Sequence, residues 1–223
     1  MIINHNEPEC SEARRKIGKH KYNGAQYYSK EICENIIPYV ETDRNWITIK
    51  AGEKGADHSI CFVHNNVTFE EAYAYMKQYK DVIYVVGLPD MIERAEKFGP
   101  TIYLPLSIDV GYVKTFKTVR TKDVAIVGRD AAKWVKEYNI PDGVDILGLM
   151  PRPMLLREMA KYKAVYAIGR TAIEAQVLGC KVLPFHPRFP STSVWWVVDN
   201  KYAAKMLQTE LDRIDHKEKE YGR

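Results

Sequence analysis

The chain has 223 residues, of which 46% are apolar and 28% charged, and a formal net charge of +4. This length suits one large domain or two small α/β domains, and the composition excludes a disordered or fibrous chain. The charge excess permits an anionic ligand but does not by itself indicate nucleic acid.

Taken in chain order, a strand is expected at Met1–Asn4, followed by a basic loop carrying Arg14, Arg15, Lys16, Lys19 and Lys21. After Asn23-Gly24, the run AQYYSKEICENIIPYV places Tyr28, Ile32, Ile36 and Ile37 on one helical face. Strands are predicted at Trp46–Lys50 and Ser59–His64. Thr68 then caps a helix over Phe69–Tyr79. A strand at Asp81–Val86, a helix opened by Pro89 and reaching Phe98, and a strand at Thr101–Leu106 close this half. Such alternation predicts parallel strands with covering helices.

Residues 107 to 122 break the pattern and carry Lys114, Lys117, Arg120 and Lys122. The predicted organisation is an N-terminal Rossmann-like domain over 1–110, a linker over 111–122, a C-terminal nucleotide-binding domain over 123–200 and a terminal helix over 201–223. The second half restarts with strand Val124–Val127, turn Gly128-Arg129-Asp130 and helix Ala131–Tyr138. Pro141-Asp142-Gly143 turns into strand Val144–Leu149, and helix Pro153–Tyr162 follows. A further strand is expected at Val194–Val198. The last helix, from Lys201 to about Lys219, shows an apolar stripe of Tyr202, Met206, Leu207, Leu211 and Ile214.

The richest segment is AVYAIGRTAIEAQVLGCKVLPF, residues 164 to 185. It reads as an uncharged strand over Ala164–Ile168, a glycine turn at Gly169, a short helix stopped by Gly179, and a second buried strand. The amides of Arg170, Thr171 and Ala172 then open a helix, where a phosphate is favoured, and Glu174 stands ready for a ribose diol. Thr171 and Glu174 equally fit a capping box that satisfies only backbone groups.

In their order and spacing these pieces resemble GT-B glycosyltransferases, particularly the large retaining family that uses nucleotide-sugar donors. Asn23-Gly24-Ala25-Gln26 is similar to that family's glycine-rich loop, and Leu104-Pro105-Leu106-Ser107-Ile108-Asp109 to the end of its first domain. DVAIVGRD, from Asp123, resembles the strand and glycine–arginine pair that open the donor domain. The run from Val144 to Arg170 resembles the stretch leading to the donor site. The resemblance implies an α/β, GT-B-like fold with two Rossmann-like lobes facing across a cleft. It further implies a diphosphate held near Gly128 by Arg129 and Lys133, with Asn23 and Gly24 on the donor side, the amides after Gly169 on phosphate, and Glu174 on ribose. Where the family carries a first glutamate, this chain has Tyr166, and Arg170 adds a cation.

Other chemistry is weighed on the residues themselves. His64, after an apolar strand, is a candidate for hydrogen bonding to sugar or for a base, against the plainer reading of a turn histidine. Lys133 and Glu137 also form an ordinary i, i+4 pair. Of Trp195 and Trp196, at least one ring is expected in the core. Histidine and cysteine spacing shows no metal site, and no cofactor is expected beyond the nucleotide-sugar co-substrate. The four cysteines, Cys10, Cys33, Cys61 and Cys180, form no Cys-x-x-Cys pair and point to reduced thiols in a cytoplasmic protein. No apolar run reaches membrane-helix length and no signal-peptide core opens the chain. The leading expectation is a sugar transferase with an unidentified acceptor. The alternatives are a non-catalytic nucleotide-binding protein on the same scaffold and a base-glycosylating enzyme acting on DNA. A homodimer is compatible with each.

Overall fold

A computed structural model describes residues 31–48, 55–63 and 76–221. Among these the chain is α/β, with two four-stranded parallel sheets. The described residues divide into two compact units, 31–105 with 200–221 and 106–199.

The first unit holds β1 (Asn45–Thr48), β2 (Ser59–Val63), β3 (Val82–Val86) and β4 (Thr101–Tyr103) in the spatial order β1-β2-β3-β4. All pair in parallel, with Ile60 opposite Ile83 and Val85 opposite Ile102. β2 and β3 are buried along their whole length, which is why they read as unbroken apolar runs rather than alternating ones. Ile47, Cys61, Val63, Tyr84 and Val86 form one core with Met76, Met91 and Ala95. Pro89 opens a short 3-10 turn that leads into α1 (Ile92–Glu96). Residues 31–35 are helical and bury Ile32 and Ile36, in agreement with the helical period read there.

The long terminal helix α6 (Asn200–Tyr221) belongs to this unit. Ala203, Ala204, Leu207 and Leu211 form its buried stripe, whereas Tyr202 is exposed. Full burial of a leucine contributes about 1.5–3 kcal/mol, so Leu207 and Leu211 account for much of the docking. The Gln208 side chain adds a two-sided contact, accepting from the Glu41 amide at 2.6 Å and donating to the Glu41 carbonyl at 3.1 Å.

In the second unit the strands are β5 (Lys122–Val127), β6 (Asp145–Leu147), β7 (Tyr162–Tyr166) and β8 (Lys181–Leu183), ordered β6-β5-β7-β8 and all parallel. Between them run α3 (Ala131–Glu137), α4 (Arg152–Met159) and α5 (Arg170–Leu178). The stretch read as a linker carries a helix, α2 (Val110–Lys114), whose first turn is capped by the Asp109 carboxylate accepting from the Tyr112 amide at 2.7 Å. α2 packs on α5 within this unit.

Three local expectations are corrected. Tyr162 opens β7 instead of ending α4, because its ring is buried and its hydroxyl donates to Asp145 at 2.7 Å while accepting from Lys122 at 3.0 Å. β7 consequently ends at Tyr166, so Ala167 and Ile168 fall in the following loop. No strand covers 194–198. Trp195 and Val198 are buried while Trp196 and Val197 between them are exposed, a pattern without period two. That segment is tied to its unit by the Ile108 amide, which donates to the Val198 carbonyl at 3.1 Å, and by the Trp195 ring packed on Phe189.

Candidate functional site

The chain leaves β5 to form β6 on one flank, then returns past β5 to form β7 on the other. The C-terminal ends of β5 and β7 therefore lie side by side where the direction of strand addition reverses. In open α/β sheets such a reversal, outside the carboxyl ends of the strands, is where ligands bind. The pairing of Ile126 with Tyr166 sets both ends at one level.

The β5 loop begins at Gly128, with φ at +152°, a conformation side chains rarely adopt. Its amide donates to the Leu147 carbonyl at 3.0 Å, and the Trp134 ring lies so close that a Cβ at Gly128 would approach it to 2.5 Å. Arg129 points outward, 59% exposed, with Nε and Nη2 each 3.4 Å from an Asp130 carboxylate oxygen. Lys133 is more exposed still and sits 3.5 Å from Glu137, the plain i, i+4 pairing. An exposed pair of this kind contributes a fraction of a kcal/mol and leaves the lysine readily redirected.

The β7 loop turns at Gly169, φ +61° and ψ −142°, and the space over its Cα is open to 4 Å. Gly169 caps α5 without a side chain. Its carbonyl accepts from Ala172 at 3.0 Å and Ile173 at 3.3 Å, so the helical ladder starts at Ala172 and the amides of Arg170 and Thr171 precede it. The capping box is not formed. Glu174, beyond the first turn, instead accepts from Arg170 Nε at 2.9 Å and lies 2.8 Å from Arg152 Nη2, both on Oε1. Gly179, φ +84°, stops the helix in the left-handed cap conformation expected of it.

Arg152 is the residue that sequence reasoning missed. It opens α4, just past the C-terminal end of β6, and its guanidinium stacks over the Tyr112 ring of α2 at 5.5 Å. Arg170 and Glu174 are buried and the Arg152 side chain is only 9% exposed, so two cations share one carboxylate in a region of low dielectric. Both guanidinium groups lie beside the start of α5, where the helix dipole adds to their field. Such a cluster favours an anion in reach of it.

Aromatic side chains line the same sheet edge. Phe185, just past β8, meets Tyr166, Trp134 and Tyr138 at centroid distances of 6.1, 5.6 and 5.7 Å. His186 Nδ1 accepts from the Arg188 amide at 3.2 Å, which places the ring proton on Nε2, 3.2 Å from the Tyr138 hydroxyl. Burial, with Arg188 nearby, pushes this histidine below its ordinary value and keeps it neutral.

The structure thus brings Gly128, Arg129 and Lys133 to the same edge as Gly169, Arg170, Thr171, Ala172 and Glu174. His64, Asn23 and Gly24 lie outside the described residues. Trp195 is buried against Phe189, whereas Trp196 is exposed. Among the described residues, no cluster of three histidine, cysteine or acidic side chains has the geometry to hold a metal, and no helix is long and apolar enough to cross a membrane. The chain matches no known family, curated protein or solved structure in comparison.

Proposed function

We propose that this chain is a compact GT-B-like glycosyltransferase that takes a nucleotide-sugar donor, with the donor diphosphate held at the C-terminal ends of β5 and β7. The observation that carries the reading is the Arg152–Glu174–Arg170 cluster, which sets two guanidinium groups at the start of α5 beside two glycine turns. As the bond from the anomeric carbon to the leaving oxygen breaks, the electron pair passes to the β-phosphate, and fixed cations and amides stabilise it. Arg170 and the adjoining amides supply the fixed part, while Arg129, exposed and loosely paired, swings onto the phosphate from the β5 loop. Glu174 acts here as the positioning residue for both arginines, since its Oε1 is engaged by each. The acceptor hydroxyl attacks the anomeric carbon, and its proton passes to the departing β-phosphate oxygen, which has gained the electron pair.

The test is release of nucleoside diphosphate from a panel of nucleotide sugars. Turnover is expected with at least one donor, and Arg129→Ala should lower it about 10²-fold, the range for loss of one donor to a developing oxyanion. Arg129 is exposed, so the variant should fold as the parent does. Absence of release from every donor, together with absence of nucleotide binding, would overturn the proposal. A second reading, nucleotide binding without transfer, draws on Tyr166, which stands where the resembled family carries its first glutamate and packs instead on Phe185. It predicts binding with no release.

A further inference from the structure

At the N-terminal edge of the first sheet five charged groups meet. Each of β1, β2 and β3 is entered through one of them: Arg44, His58 and Asp81. Arg44 is fully buried at its side chain and pairs with Asp81 at 2.7 Å and, on α6, with Asp215 at 2.9 Å. His58 Nδ1 bonds the other Asp81 oxygen, and its Nε2 lies 3.1 Å from Asp43. His58 and Asp81 both have positive φ, +48° and +54°, and are held there by the sheet: His58 N–H donates to the Lys80 carbonyl, and Ser59 N–H to that of Asp81.

We propose that Asp43, Arg44, His58, Asp81 and Asp215 form a pH-operated latch that holds the C-terminal end of α6 against the N-terminal edge of the first sheet. A carboxylate faces each ring nitrogen of His58, so only the doubly protonated imidazolium can donate to both. In that state two cations, Arg44 and His58, face three carboxylates. When His58 loses its proton, one ring lone pair meets a carboxylate and Asp81 draws more fully on Arg44, which it shares with Asp215. Asp215, carried on a helix end, is the partner that leaves.

Asp81 and Asp43 raise the proton affinity of His58, against the opposing effects of burial and Arg44. A group with a raised folded-state value stabilises fully below its ordinary value, and the gain is lost as pH rises through the folded one. Asp81 and Asp43 are held below the usual carboxylate range, Asp81 by Arg44 and His58 and Asp43 by His58, so their contribution is lost only as pH falls through that range. The latch is therefore closed at mildly acidic pH and opens on the alkaline side. Other ionisable neighbours are engaged elsewhere: Asp57 accepts from the Lys80 amide, Asp212 from Gln208, and His216 faces Glu220 at 3.7 Å.

The experiment is amide hydrogen exchange over residues 212–221 of the full chain at about pH 6 and about pH 8.5, normalised to intrinsic rates, with an NMR titration of His58. Protection should fall about tenfold between the two, and His58→Gln should be weakly protected at both. Asp43 is 88% exposed, so Asp43→Asn keeps the fold and should move the transition to lower pH. Equal normalised protection at both pH values in the parent, or an unmoved transition in Asp43→Asn, would overturn the latch.

Discussion

Replacing Glu174 with alanine is expected to destabilise the second unit by about 3–5 kcal/mol, the cost of stranding buried charge. Arg152 and Arg170 lose the carboxylate they share, where little solvent is at hand to screen them. The shortened side chain also leaves a void between α4 and α5. Glu174→Gln keeps the shape and one acceptor oxygen, so it should recover the packing but not the charge balance and fall between. The midpoint of urea unfolding measures this, and an unchanged slope would show that stability alone has moved. Because an anion can replace the lost carboxylate, inorganic phosphate should raise the Glu174→Ala midpoint more than that of the parent. A loss below about 1 kcal/mol would mean that the cluster is solvated and carries no strong field.

Gly128→Ala is the second large effect, expected at about 2–5 kcal/mol from two sources that act together. The φ of +152° strains any L side chain, and the new Cβ would lie 2.5 Å from the Trp134 ring. That ring cannot retreat freely, since Phe185 packs on it and the core of Ile126, Ala131 and Ile140 lies behind. Gly143→Ala supplies the control. Its φ is +83° but the space around it is open to 4 Å, so it bears strain without a clash and should lose only about 1 kcal/mol. Chemical denaturation of both variants separates the two terms. Similar losses would show that Trp134 yields.

What could be read from the residues, and what could not, follows the range of the interactions involved. β2 and β3 were legible because a strand buried on both faces is largely apolar, as Ile60–Val63 and Val82–Val86 are. Gly169 and Gly179 were legible as turn and stop because backbone demands are local. The start of β7 was hidden by Lys163, an exposed cation that pairs with Asp123 and makes the strand resemble a helix end. The helix α2 is too short for periodicity to register, although Asp109 was a cap signal in plain view. Trp195-Trp196-Val197-Val198 has strand composition, yet tertiary packing buries its two ends and exposes its middle. At the site, Arg170 lies one helical turn before Glu174 and its pairing could be anticipated from spacing. Arg152 could not, because the bond that joins it to Glu174 exists only once α4 and α5 have packed.

The most direct test of the account is calorimetric titration of the full chain with nucleoside diphosphates. It should show saturable binding, weakened about 10- to 100-fold in Arg129→Ala through loss of one charge-assisted hydrogen bond. Heats indistinguishable from dilution for every nucleoside diphosphate, or equal affinity in Arg129→Ala, would contradict a diphosphate site at the C-terminal ends of β5 and β7.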